Sequence, residues 1–324
     1  MWVAAATVHQ QCHGPLAMPT AGSHHVCLLC DDGSAVAIGS NRFGQCDIPV
    51  LREGLRYTQV AAGGTFTVLL CSDGTTRMCG FAQGFWAPLG WDFPEGTHIT
   101  QLAAGYQHIV AVLSDGEAKA VSTASQDHDF DYLHMPKASD MGAYFTQAAA
   151  GFAHTVLLCS DGQAIGIGSN SSHQLHIPAL HDGRSYVSVS ASSHATGLVR
   201  SDGSAIICGL YTRDKQCVHF TPQEAGVKYT QLAICGEYAV LLRSDGTVDA
   251  FTGSSRNYSI PMLSHDVVYT QCAVGYMHNT LLRSDGTAIT TGWDEVIPDL
   301  PNGRRYVPTT FQQPAFIVQM FFRT

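Results

Sequence analysis

The sequence predicts an all-β fold made of seven copies of one antiparallel unit, and three observations carry that reading. Asp-Gly pairs recur at Asp32, Asp73, Asp115, Asp161, Asp202, Asp245 and Asp285, with steps of 41, 42, 46, 41, 43 and 40 residues. Each pair is preceded by a small-residue stretch and an apolar run, and is followed by a second short apolar run. No long segment places apolar residues at i, i+3, i+4 and i+7, so little helix is expected. A fixed period in this range means one supersecondary unit stacked on its own copies.

The second unit shows the elements in order. Residues 60–63 (Val-Ala-Ala-Gly) read as a small-residue strand for a crowded position where backbones approach closely. Residues 65–71 are β-branched and apolar, long enough for a buried strand and short for a helix. Asp73-Gly74 is a hairpin signal, because Asp and Gly tolerate the positive φ of tight turns. A third strand ends at Gly80. Such a meander cannot cover its own two faces, so neighbouring units must.

Closing the units into a ring removes exposed strand edges. The termini favour closure. Residues 306–320 align with the half-unit 57–71, and the chain stops where the next Asp-Gly would stand. Residues 2–7 read as the missing third strand of a final blade shared by both ends. The expectation is one domain over residues 1–324, with seven blades, or eight if the shared unit counts as a full blade.

The repeat resembles that of the regulator of chromosome condensation family. Ala-Ala-Gly-x-x-His-Thr, an apolar strand and Ser-Asp-Gly occur together in residues 149–162. Residues 39–45 match the family's Gly-x-Asn-x-x-Gly-Gln signature, and Gly168-Ser-Asn-Ser-Ser-His-Gln174 keeps part of it. The resemblance implies a β-propeller. Such propellers occur in HERC-type ubiquitin ligases, in a nuclear exchange factor for a small GTPase, in the plant ultraviolet-B receptor and in a secreted β-lactamase inhibitor. Function is therefore left open by the family. Departures are visible: Ala-Ala-Gly becomes Ala191-Ser-Ser193 in the fifth unit and Ile234-Cys-Gly236 in the sixth.

Composition narrows the partners. Only 13% of residues are charged, against about 25% in ordinary domains, which fits strands packed face to face. No apolar run is long enough for a membrane span, and no secretory signal is visible at the start. A net charge of −9 argues against nucleic acid, which needs clustered Lys and Arg. Eleven cysteines, scattered through apolar strands, read as buried thiols of a reducing compartment, so a cytoplasmic or nuclear location is expected. A monomer is expected.

Four of the seven positions that precede the turn aspartates by seven residues are histidine: His25, His108, His154 and His278. The others are Phe66, Ala195 and Tyr238. A ligand or catalytic position would not accept those substitutes, whereas a buried slot would. Ser-Asp-Gly is turn chemistry, and neither motif makes a Ser-His-Asp triad. No cofactor and no catalytic residue is expected.

Variation concentrates after the third strand, where repeat proteins place binding loops. The second unit inserts Phe85, Trp86 and Trp91, which either anchor a partner or fold back to plug the blade. The third inserts Asp127, His128, Asp129, Asp131, Tyr132 and His134, read as a solvated acidic loop with Asp127, Asp129 and Asp131 as weak metal candidates. Tyr211 lies in a mixed-charge loop of the fifth unit. Arg200, Arg243 and Arg283 stand two residues before the last three turn aspartates. They either pair with those aspartates or form a basic sector for an acidic partner.

The function expected is a non-catalytic scaffold whose loop face and rim bind another protein, by resemblance in a ubiquitin-ligase setting. The alternative is a guanine-nucleotide exchange factor for a small GTPase, although no long insertion stands out as a wedge.

Overall fold

The computed structural model describes residues 20–80, 91, 93–123, 131–181, 183–209, 217–236, 238–252, 260–264, 266–276, 278–292 and 296–307. Seven antiparallel sheets make seven blades. Blade 2 is representative: an inner strand Tyr57–Ala62, a middle strand Phe66–Cys71 and an outer strand Thr76–Gly80. Blade 5 adds a fourth strand, Val218–Phe220. Among the described residues the only α-helix is one turn, Ala138–Met141.

Middle strands are buried because both of their faces are covered, and only the arginines that end those of blades 5, 6 and 7 are partly exposed. Val68 and Leu70 pack toward blade 3 with Ile99, Leu102 and Ile109. Leu69 and Cys71, pointing the other way, pack toward blade 1 with Cys27 and Leu29. One apolar layer of this kind lies at every junction between consecutive blades. The seventh layer joins Leu282 of blade 7 and Ile297 to Val26, Leu28 and Cys30 of blade 1, which closes the ring. The low charge content fits this geometry, since the middle strands have little solvent-facing surface to charge.

The blade shared by the chain ends is the first. Its inner strand is in two pieces: Thr20–Ala21 pairs with Val26 and Cys27, and Tyr306–Val307 pairs with Leu29 and Cys30. Tyr306 thus takes the place that Tyr57 holds in blade 2, where Tyr57 faces Cys71. Residues 2–7 and 308–324, assigned from sequence to the closing blade, lie outside the described residues.

One expectation is corrected. The cysteines are not all thiols: Cys208 of the outer strand of blade 5 is disulfide-bonded to Cys217, which immediately precedes the fourth strand. Among the described residues Cys27, Cys30, Cys71, Cys79, Cys159 and Cys272 are buried thiols.

Candidate functional site

The two ends of each blade differ chemically. In blade 2 the middle strand starts at Phe66 opposite Gly80, and it ends at Cys71 opposite Tyr57. The Gly-x-x-His turns and the exits of the outer strands therefore share one face of the ring. The Asp-Gly turns lie on the other.

On the first face the inner turns lock blade to blade around the channel. The Gly64 amide donates to the Gly105 carbonyl, Tyr106 to Gly151 and Phe152 to Ser192. Tyr276 of blade 7 donates to Ser23 of blade 1, at 3.2 Å. The approach is close enough to exclude a side chain. A Cβ on Gly105 would lie 2.4 Å from the Gly151 carbonyl oxygen and 2.5 Å from the ring of His108, three residues on. Gly151 is confined in the same way by Ser192 and His154. Blade 5 has Ala195 in the histidine slot, so no ring claims that space, and Ser192 stands where blades 1, 2, 3, 4 and 7 have glycine; blade 6 has Cys235 there, opposite Tyr238. In blade 5 the departure seen in the sequence is thus a steric complement.

The slot itself is structural. His25 Nε2 lies 2.8 Å from Thr67 Oγ1, and that hydroxyl donates to the Gln45 carbonyl at 2.9 Å. The imidazole must therefore donate from Nε2, which leaves Nδ1 bare. His108 meets Thr155, and His154 meets Thr196, in the next blade. Tyr238 replaces histidine in blade 6 and accepts from Asn279 Nδ2 at 2.8 Å. Burial drives the histidine pKa values down, to about 4 for His25 and His154 and about 3 for His108 and His278. These rings are neutral fasteners.

Two further devices were missed from sequence although each has a repeated signal. Glutamine stands two residues after the start of the inner strand and clamps the next blade. Gln59 donates to the Thr100 carbonyl and accepts from the Leu102 amide. Gln101 does the same at Ala148. In four blades the first residue of the strand is a tyrosine that reaches back to the proline that ended the previous unit: Tyr57 to Pro49, Tyr186 to Pro178, Tyr269 to Pro261 and Tyr306 to Pro298.

What remains for a partner on the first face is a collar of aromatic side chains. Tyr106, Phe152 and Tyr276, each directly after a turn glycine, are 40%, 43% and 61% exposed. Tyr106 stacks on Phe152 at 4.5 Å between centroids, and Phe152 lies nearly parallel to exposed His194 at 6.3 Å. Exposed His24 meets Tyr276 edge-on at 5.7 Å. The stack crosses blades 3, 4 and 5, and the edge-on pair bridges blades 7 and 1. Sequence reasoning passed over these residues because each looks like an unremarkable x in Gly-x-x-His; only ring closure gathers them.

The residues expected to bind a partner are dispersed. Phe85, Trp86, Tyr211, Asp127 and Asp129 lie outside the described residues. Trp91 is half-buried, stacks on Phe93 and packs against the layer between blades 2 and 3, which matches the folded-back alternative. Tyr132, at 6% exposure, is wedged between blades 3 and 4: its ring lies 4.7 Å from that of His108 and its carbonyl accepts from Thr155. It is not available at the surface. Asp131 is exposed and opens a single 3-10 turn. Among the described residues no group of three His, Cys, Asp or Glu is placed to hold a metal.

The arginines lie on the opposite face from the outer-strand exits, so they do not form a second half of one binding surface. Arg243, with its side chain 12% exposed, meets Glu224 at 2.6 Å, Asp245 at 3.0 Å and Asp249 at 3.5 Å. The Asp202 and Asp285 carboxyls are held below the usual carboxylate range by the hydrogen bonds they accept from Ser204 and Thr287, with the charges of Arg200 and Arg283 adding to it. The turn aspartates cap the amide two residues on, as Asp73 does for Thr75.

Two segments of the chain, residues 20–45 and 145–174, match the model of the regulator of chromosome condensation (RCC1) repeat. The fold is an RCC1-type β-propeller. Yeast RCC1 (Prp20), solved with Kap60 bound, is 16% identical with a TM-score of 0.62, over 86% of this chain and 80% of that one. Prp20p of Saccharomyces cerevisiae, solved in a study of its binding to Gsp1p and histones, is 17% identical with a TM-score of 0.52, over 91% and 76%. The ectodomain of the Physcomitrella patens receptor kinase CR4 is 13% identical with a TM-score of 0.60, over 88% and 75%. No curated protein sequence matches the chain. Among the described residues of this propeller no helix is long and apolar enough to cross a membrane.

Proposed function

We propose that this propeller is a non-catalytic scaffold that binds another protein across its channel-mouth face. One observation carries the reading: the exposed collar of Tyr106, Phe152 and Tyr276, with His24 and His194, on the face from which the variable loops depart. Aromatic side chains bring large contact area with few rotors to freeze, and they dominate binding hot spots. The insertions carrying Phe85, Trp86 and Tyr211 begin on this side, because Gly80 and Gly209 end outer strands there. A ubiquitin-ligase context rests on the sequence resemblance alone; a cytoplasmic or nuclear setting rests on the buried thiols, a premise that the Cys208–Cys217 disulfide weakens.

The test is affinity capture from native extract with three baits: wild type, Tyr106→Ser/Phe152→Ser, and Trp86→Ala/Trp91→Ala. A protein held by wild type and lost by the collar variant, at unchanged melting temperature, supports the reading. Equal recovery by all three baits overturns it.

A second reading, nucleotide exchange on a small GTPase, is supported by the fold likeness to Prp20p, whose binding to Gsp1p has been studied. Release of labelled GDP from a Ran-type GTPase, measured with and without the propeller, separates the two. Acceleration favours exchange; an unchanged rate leaves the scaffold.

A further inference from the structure

We infer that His173 and His176 of blade 4 form a two-imidazole site for a late first-row transition-metal ion, zinc, nickel or copper. Their Nδ1 atoms lie 3.2 Å apart and their rings stand edge to face at 4.5 Å between centroids. Two nitrogens each about 2.0–2.1 Å from one ion are separated by about 2.9 Å at a square-planar angle and about 3.4 Å at a tetrahedral one. The observed separation falls between, so the spacing of the two nitrogens suits either geometry once the rings turn their lone pairs toward a common point.

The backbone gives the second, independent observation. His173 is the one non-glycine residue with positive φ among the described residues, at 63°. It occupies the place that Gly44 holds in blade 1, where φ is 78°. The loop is otherwise alike: Asn41 accepts from the Cys46 amide as Asn170 accepts from the Leu175 amide, and Gln45 and Gln174 accept from amides two residues before them. A side chain in this conformation is disfavoured where glycine is free, and such outliers cluster at ligand-binding positions. Here the outlier puts one imidazole against another.

The pair is also well supported from below. The His173 amide donates to Asn170 and the His176 amide to His173, each at 3.1 Å. The His176 carbonyl rests 3.4 Å from Cys217 Sγ, which the disulfide ties to Cys208 of blade 5. Half-buried His173 and exposed His176 leave the remaining coordination positions to water. Imidazole selects Zn, Ni and Cu over Ca and Mg, and the ion competes with protons for the two nitrogens, so binding weakens with acid.

Zinc and nickel titrations by calorimetry, on wild type, His173→Gly, His176→Gln and the double variant, test the inference. His173→Gly restores the residue of blade 1, so folding is expected to persist, with a melting temperature equal to wild type or higher. Wild type is expected to take up one ion at micromolar concentration, and each single variant to bind at least tenfold more weakly. Nitrogen NMR is expected to move the two Nδ1 resonances and leave those of His25, His108 and His154 in place. Binding by the double variant equal to wild type, or no binding by wild type up to millimolar metal, overturns the site.

Discussion

Tyr57 Oη donates a 2.6 Å hydrogen bond to the carbonyl of Pro49, eight residues back. The bond fastens the start of one blade to the end of the preceding unit, and it recurs at Tyr186, Tyr269 and Tyr306. Blade 6 departs: Tyr229 bonds Asp249 of its own outer strand instead. Replacing Tyr306 by Phe keeps the ring and deletes only the hydroxyl. It is expected to cost about 1 kcal/mol, the usual net value of one such bond. Chemical denaturation measures it, and no change in midpoint would refute the lock.

The glutamine clamp predicts a larger loss. Gln101→Leu removes both partners from the Ala148 amide and carbonyl in buried surroundings. Buried groups left unsatisfied cost about 1–3 kcal/mol each, so this variant is expected to exceed Tyr306→Phe in the same denaturation series.

The glycine and histidine pairing gives a steric prediction. Gly151→Ala places a methyl group 2.4 Å from the His154 ring and 2.3 Å from the Ser192 carbonyl oxygen. Overpacking of this kind costs about 1–3 kcal/mol. Ser192→Ala, where the slot holds Ala195, is expected to be far milder. Equal losses at the two positions would remove the explanation.

The buried histidines make the fold acid-sensitive in a defined window. Their folded pKa values lie near 3 to 4, below the unfolded value of about 6.5. Between these limits the unfolded chain binds more protons, so stability is full above about pH 6.5 and falls as pH drops toward 4, by up to about 1.4 kcal/mol per pH unit per histidine. His108→Phe, which installs the residue blade 2 already uses, is expected to flatten that slope in melting curves between pH 7 and 5. An unchanged slope would show that His108 does not titrate on unfolding.

The Cys208–Cys217 bond is open to direct test. Alkylation of the unfolded, unreduced protein followed by mass spectrometry is expected to leave these two cysteines unlabelled. Cys217→Ser is expected to lower stability by about 2–3 kcal/mol on the chain-entropy account of a loop this short.

Much of the architecture was legible because the period is enforced locally: each Asp-Gly turn, apolar middle strand and terminal glycine is specified within its own unit. The histidine slot was legible by the same logic, since Phe66, Ala195 and Tyr238 at equivalent positions exclude chemistry there. The disulfide was not legible. Cys208 and Cys217 are two among eleven cysteines, and only the addition of a fourth strand to blade 5 brings them together.

The sequence by itself determined the unit, its number and the apolar faces that demand neighbours, because strand pairing and turn chemistry act over a few residues. Tertiary structure alone decided what lies beside what around the ring. It set the arginines on the face opposite the loop exits, buried Tyr132 and gathered Tyr106, Phe152 and Tyr276 at the channel mouth. Those residues come from different blades, more than forty positions apart in sequence, and no local pattern records that closure will make them neighbours.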